Sequence, residues 1–300
     1  LTTHSLASQT NQSAAAWETG SVAQRVLMRL LRNRSGLMGL IIVLVMTLIA
    51  LFAPLLAPYD PLEIHKGEQF SPPSATYFFG TDEFGRDIFS RTLYAGRISL
   101  LAGAFAVAVA ASIGVPLGMI SGYAGGFTDT AFMRTMDSLL AFPAVLLALA
   151  IVAVLGPGSL NTMIAVAIVS IPTFARLARA TMLTQKEMDY VEAARCIGAP
   201  SSRIVFRTIL PNSLAPVLVQ ITLAVAFAIL LEAALSFLGL GTQPPEASWG
   251  AMLNAGRGHL RRAWWYGFFP GLFITILVYG LNSLSEAVRD ALDPTHQLNG

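Results

Sequence analysis

Charge is scarce in this sequence. Asp, Glu, Lys and Arg make up 12% of its 300 residues and hydrophobic residues 54%, with a mean hydropathy of +0.62. A soluble domain carries about twice that charge, so the composition points to a membrane protein crossing the bilayer several times. The single cysteine, Cys196, excludes an internal disulfide. Lysine occurs only at positions 66 and 186, in His-Lys-Gly and Gln-Lys-Glu contexts. A phosphate-binding P-loop needs Gly-Lys-Ser or Gly-Lys-Thr, so an ATP site in this chain is excluded. His4, His65, His259 and His296 are scattered outside the apolar runs, which leaves neither a paired metal set nor a base for an intramembrane hydrolase. No metal, cofactor, catalytic residue or nucleic-acid partner is expected.

What is present is a series of long uncharged runs: Ser35 to Tyr59, Ile98 to Thr128, Ser138 to Ala175, Thr208 to Leu231 and Ala263 to Ser285. Each reaches the roughly 20 residues that span a bilayer as helix. The third is long enough for two spans divided at Gly156-Pro157-Gly158, so an all-α polytopic protein with six transmembrane helices is expected. With the N-terminus inside, 12 basic residues fall on the inner side (Arg25, Arg29, Arg32, Arg34, Arg134, Arg176, Arg179, Lys186, Arg195, Arg203, Arg207, Arg289) against 7 outside (Lys66, Arg86, Arg91, Arg97, Arg257, Arg261, Arg262). That bias favours cytoplasmic N- and C-termini.

The organisation reads as a mobile N-terminal tail over 1–20, then a basic amphipathic segment over 21–34. This segment either lies along the headgroups or forms the inner end of the first span. The first transmembrane helix covers 35–59, and an ordered outer loop 60–94. A five-helix core follows over 95–293, and a C-terminal tail over 294–300. Gly114, Gly118 and Gly122 recur every fourth residue, a pattern that brings helix backbones together in lipid.

Between the third and fourth apolar runs lies a basic island, Arg176 to Asn212, which overlaps the start of the fourth. Thr184 and Glu187 have capping-box spacing for a short helix through Tyr190, Glu192 and Arg195. Gly198 supplies a left-handed end and Pro200 stops the helix. A second helix fits Ser202 to Ile209, and Leu210-Pro211 turns the chain into the next span. Ala193 and Ala194 keep one helix face thin enough to enter a groove on a cytoplasmic partner. Two acids, Asp137 and Glu232, fall in apolar surroundings and are candidate pathway or gating residues. Asp137 has Arg134 three residues before it as a local partner. Glu232 has none nearby, so it either lines a pathway or bonds across a helix interface, with a structural or gating role favoured over substrate contact. Trp249, Trp264, Trp265 and Tyr266 suit an interfacial aromatic belt. Asp82, Arg86 and Asp87 either order the outer loop or meet an external partner.

The island resembles the EAA loop of ATP-binding cassette importer permeases. Six stretches carry a resemblance to the peptide/nickel transporter permease family, in its C-type branch: Phe79-Gly-Thr-Asp-Glu-Phe-Gly-Arg-Asp-Ile-Phe-Ser-Arg91, Leu139-Leu-Ala-Phe-Pro143, Tyr190-Val-Glu-Ala-Ala-Arg195, Leu235-Ser-Phe-Leu-Gly-Leu-Gly241, Ser248-Trp-Gly250 and Arg289-Asp-Ala-Leu-Asp-Pro294. Thr208 and the run Asn282 to Glu286 depart from that family's pattern. The resemblance implies a type I importer fold and a heterodimer with a second, homologous permease. Two cytoplasmic ATP-binding subunits would hold ATP and Mg, and a substrate-binding protein would stand outside. It also implies a coupling role for Tyr190, Glu192, Ala193, Ala194, Gly198, Leu210 and Pro211. The expected function is half of a translocation pathway for short peptides or related solutes. Dipeptides, oligopeptides, glutathione, nickel chelates and sugars remain open as substrates. An ion-coupled secondary transporter is the alternative, and it would need paired midmembrane charges or inverted repeats.

Overall fold

The computed structural model describes residues 33–292. The two expected tails and, apart from Asn33 and Arg34, the basic amphipathic segment lie outside them. Helix α1, Arg34–Leu51, starts where the Asn33 side chain accepts hydrogen bonds from the Ser35 and Gly36 amides. A single turn, Ala53–Leu56, ends it. Helix α2, Ile88–Ala124, runs 37 residues, or about 55 Å at 1.5 Å per residue, well beyond the bilayer core. It therefore begins inside the segment read from sequence as outer loop. Asp87 sets that start by accepting the Ser90 amide at 2.7 Å and the Ser90 hydroxyl at 2.6 Å. Such a cap fixes the first turn wherever the apolar run begins.

The third apolar run is not one straight span. Helix α3, Gly126–Leu140, and helix α4, Ala144–Leu155, meet at 92° across Ala141, Phe142 and Pro143. Proline at the head of α4 keeps Phe142 out of helical geometry. Helices α5 (Ser159–Gln185), α6 (Asp189–Cys196), α7 (Leu214–Phe237), α8 (Trp249–Arg257) and α9 (Trp265–Leu292) complete the chain. Among the described residues, five helices are long and apolar enough to cross a membrane, or six if the bent pair α3–α4 is one broken span. The expected fifth span, over the fourth apolar run Thr208 to Leu231, is displaced: Ile204–Ile209 is π-helical, and the span itself is α7.

Gly114, Gly118 and Gly122 of α2 face α5. A Cβ added at Gly118 would stand 2.2 Å from the Ala175 carbonyl oxygen, and one at Gly114 would stand 2.7 Å from that of Ile171. The two backbones are in contact, as the four-residue glycine repeat predicts. Helix α1 leans on α9 through a similar approach of Gly39 to the Gly280 carbonyl. One apolar core joins α2, α5 and α7 to the island through Met119, Phe174, Met182, Val191, Ile204 and Ile209. A second, nearer the outer end, packs Ile88, Ile229, Trp249, Trp265, Tyr266 and Leu277.

That second core corrects the aromatic reading. Trp249, Trp265 and Tyr266 are buried, and of the four only Trp264 is exposed, at 54%. Trp249 donates from Nε1 to the Thr92 carbonyl at 2.9 Å and packs on Gly96. Trp265 donates to the Thr81 carbonyl at 3.4 Å. Their polar edges find protein partners, so water at the headgroups is not needed to satisfy them.

Gly118→Leu is expected to separate α2 from α5 and cost about 1–3 kcal/mol, read as a lower unfolding temperature in detergent. Gly258→Ala, where no neighbour stands within 4 Å, should leave that temperature unchanged. Equal midpoints for the two variants would contradict the packing.

Candidate functional site

The island forms an elbow rooted in the core and exposed along one side. Val191 is fully buried with Ile204, Val205 and Ile209, and these side chains fix the elbow to the C-terminal ends of α2 and α5. On the opposite face Tyr190, Glu192, Ala193, Cys196 and Ile197 are open, Ile197 at 81%. Ala194 is half-buried and packs inward, so the two alanines do different work. Ala193 thins the free face, and Ala194 lets α6 sit close to its support.

Gly198 ends α6 at φ +72, and two hydrogen bonds close the turn: Gly198 amide to Arg195 carbonyl at 2.9 Å and Ala199 amide to Ala194 carbonyl at 3.1 Å. This is the paired closure of a left-handed C-terminal cap, which glycine adopts without a Cβ penalty. Tyr190 donates its hydroxyl to the Gln185 side chain. Lys186 Nζ donates to the Gly122 carbonyl at 3.3 Å, and the Arg195 guanidinium stands 5.9 Å from the centre of the Tyr123 ring. Leu210 is half-buried against the core and Pro211 exposed, in a helical turn, Leu210–Asn212, just before α7.

The expected capping box does not form. Thr184 lies inside the last turn of α5 and donates back to the Ala180 carbonyl at 3.3 Å. Helix α6 starts after Met188 without a side-chain cap. The apolar stripe of α5 reaches Met182, which is fully buried, and that burial carries the helix past the residue that capping chemistry would select.

Asp137 is held by Arg176 at 2.6 Å, across from α3 to α5, and not by Arg134 on its own helix. A stronger pair went unread in the sequence. Arg179 donates two hydrogen bonds of 2.6 Å to the two carboxylate oxygens of Asp129, and the Ser121 hydroxyl donates a third of 2.6 Å. Asp129 is only 7% exposed. Its clue was position: an acid one turn after Gly125-Gly126, facing a run in which Arg176 and Arg179 stand one turn apart.

Glu232 is 2% exposed and does have a local partner. Ser236, one turn on, donates to its Oε1 at 2.6 Å, and the buried hydroxyls of Ser99 and Ser248 stand alongside. The Ser236 oxygen also accepts the Thr242 amide at 3.3 Å. The carboxyl is thus tied, through Ser236, to the turn that leads into α8, away from the cavity described next.

That cavity, about 270 Å³, lies between the α3–α4 bend, α5 and α7, where Leu139, Phe142, Thr173, Gln220 and Phe227 line it. Its wall is apolar with few polar groups, the character of small-molecule pockets in general.

In the outer loop, Asp82 is fully buried. It accepts the Phe84 and Arg86 amides, each at 2.9 Å, and Arg86 Nε at 2.6 Å. Asp87, also fully buried, caps α2, and burial pushes its carboxyl above the usual range against the pull of the Ser90 bonds. Both acids organise the loop from within. Phe78 and Phe84 are exposed aromatics of the loop, at 53% and 49%, and the Arg86 guanidinium stands 4.6 Å from the centre of the Phe84 ring.

Asp87→Ala is expected to cost about 1–2 kcal/mol through loss of the cap, read as a lower unfolding temperature. Asp87→Ser, which keeps a capping oxygen, should recover most of it. No recovery would show that the cap is not what Asp87 supplies.

Comparison with known proteins adds an independent line. A family described as "Binding-protein-dependent transport system inner membrane component" matches residues 114–296, and one described as "N-terminal TM domain of oligopeptide transport permease C" matches residues 21–73. The chain is 46% identical over 268 residues to a di/tripeptide transport system permease protein of Pseudomonas aeruginosa, covering 87% of this chain and 88% of the relative. It is 47% identical over 266 residues to a dipeptide transport system permease protein of Alkalihalophilus pseudofirmus, covering 89% and 88%. A glutathione transport system permease protein of Pectobacterium atrosepticum is 44% identical over 267 residues, with 89% of each chain covered.

Proposed function

The chain belongs to the family of binding-protein-dependent transport system inner membrane components, the permeases of ABC transporters, and we propose that it forms half of a translocation pathway for short peptides or related small solutes. It is a non-catalytic, multi-pass subunit of the bacterial inner membrane, working with an ATPase that binds the ATP and with a binding protein that delivers solute. Beyond this, the proposed assembly pairs the chain with a second, homologous permease above two ATP-binding subunits, with both termini cytoplasmic and lipid around the spans. The substrate class rests on relatives named for di/tripeptide, dipeptide and glutathione transport.

One observation carries the coupling role: α6 has a buried root at Val191 and a free face at Glu192, Ala193 and Ile197. An exposed apolar residue such as Ile197 on a rigidly anchored short helix is what a helix-in-groove contact requires. Force on that face reaches α2 and α5 directly, because Val191, Ile204 and Ile209 are packed into the same core as Met119 and Met182. Nucleotide-driven closure of the ATPases would then shift the spans between inward- and outward-open arrangements. The cavity beside Gln220 and Phe142 supports the passage of solute near the α3–α4 bend. An ion-coupled mechanism draws no support from Glu232, whose partners in the fold are hydroxyls and not a second charge.

Gly198→Val is the direct test in the reconstituted transporter. A Cβ at Gly198 meets nothing within 4 Å in this chain, so the substitution strains the turn at φ +72 and alters the elbow alone. The expected outcome is that uptake and the ATP hydrolysis stimulated by the binding protein both fall by about tenfold, while basal hydrolysis persists. Wild-type uptake by this variant would refute the coupling assignment. The substrate class is tested by purifying the binding protein of the same system and identifying its bound solute by mass spectrometry. Short peptides are expected, and a sugar would overturn the class.

A further inference from the structure

Helix α3 is attached in an unusual way. It leaves α2 through Gly125 and Gly126, both at positive φ (+66 and +58) with no neighbour within 4 Å, so the joint has little to stiffen it. Along its length only Asp129 and Met136 are buried. A helix that buries so little has its position set by polar contacts. These are the bidentate Arg179 bond to Asp129 and, two turns on, the Arg176 bond to Asp137. The two differ in kind. Asp129 is enclosed and also bonded by Ser121 of α2, whereas Arg176 and Asp137 have side chains 52% and 41% exposed, where an ion pair contributes little. Asp129–Arg179 is therefore the fixed contact and Asp137–Arg176 the loose one.

What lies at either end of this linkage gives it a role. Arg179 sits on the last turns of α5, one turn before Met182, which packs in the core that holds Val191 of α6, and two turns before Lys186, which bonds the end of α2. At the far end of α3, the bend brings Leu139, Leu140 and Phe142 to the cavity wall, opposite Gln220 and Phe227. Phe142 is 60% exposed, free to change its packing as α3 swings. Resting on the coupling role of the elbow proposed above, we propose that the Asp129–Arg179 pair is the mechanical link by which movement of α6 reaches the Leu139 to Phe142 bend over the cavity. Asp129 and Arg179 are then positioning residues for transport. They touch neither solute nor ATP, and they fix how far α3 follows α5. A bidentate guanidinium–carboxylate contact suits this purpose because it transmits orientation as well as distance.

The experiment uses the complete transporter in proteoliposomes, with binding protein and a transported peptide, and reads solute carried per ATP hydrolysed. For Asp129→Asn and Arg179→Gln that ratio is expected to fall by about tenfold, with stimulated ATP hydrolysis and co-purification of the ATPases retained. The exchanged pair Asp129→Arg with Arg179→Asp should regain a substantial part of the ratio, and Asp137→Asn should change it far less. An unchanged ratio in both single variants overturns the link. So does a parallel loss of uptake, hydrolysis and thermal stability that the exchanged pair does not relieve, since that pattern marks a merely structural contact. Failure of the elbow's coupling role has a different signature: Gly198→Val transports normally, whatever the Asp129 variants do.

Discussion

Everything around the elbow depends on two helices lying backbone to backbone. Lipid offers no hydrophobic drive for helices to associate, so close van der Waals contact must hold them. Helices α2 and α5 achieve it where Gly114, Gly118 and Gly122 face the carbonyls of Ile171, Ala175 and Arg179. Side chains there would force the axes apart and separate the surfaces that root the elbow. The close contact holds α2 and α5 together, and the elbow, α3 and the cavity wall are arranged around them.

Polar contacts then finish what packing begins. At the outer end, buried acids hold local geometry: Asp82 folds its own loop and Asp87 starts α2. Deeper, Glu232 accepts the hydroxyl of Ser236, with Ser99 and Ser248 buried nearby. Gly241 and Gly250 admit the adjoining turns at contacts that no Cβ would permit. At the inner end, charges bridge separate helices, as Arg179 and Arg176 do. Unpaired polar groups are expensive at membrane depth, and each of these acids has found a donor within the fold.

Much of this was legible in the sequence. The existence of the long apolar helices, the glycine stripe, the left-handed turn at Gly198 and the thin face of α6 each follow from a local rule about length, size or backbone angle, whereas the bounds of α2 and α7 moved from where the apolar runs put them. The misreadings share a cause, for each involved choosing between a near partner in sequence and a distant one in space. Asp137 has Arg134 a turn away yet bonds Arg176, because α5 runs alongside. Thr184 had the right spacing for a cap, but the tertiary burial of Met182 extends α5 beyond it. Trp249, Trp265 and Tyr266 have the composition of a headgroup belt, and only the fold of the 238–264 segment back over Gly96 and Thr92 reveals them as core. Asp129 escaped notice because its partner is fifty residues away.

The central claim, that the exposed face of α6 receives force from an ATPase on the cytoplasmic side, is tested most directly by photocrosslinking from position 197 in the assembled transporter. A crosslink to the ATP-binding subunit that changes in yield when nucleotide is added is the predicted result. A crosslink to the external binding protein, or none to the ATPase in any nucleotide state, would contradict it.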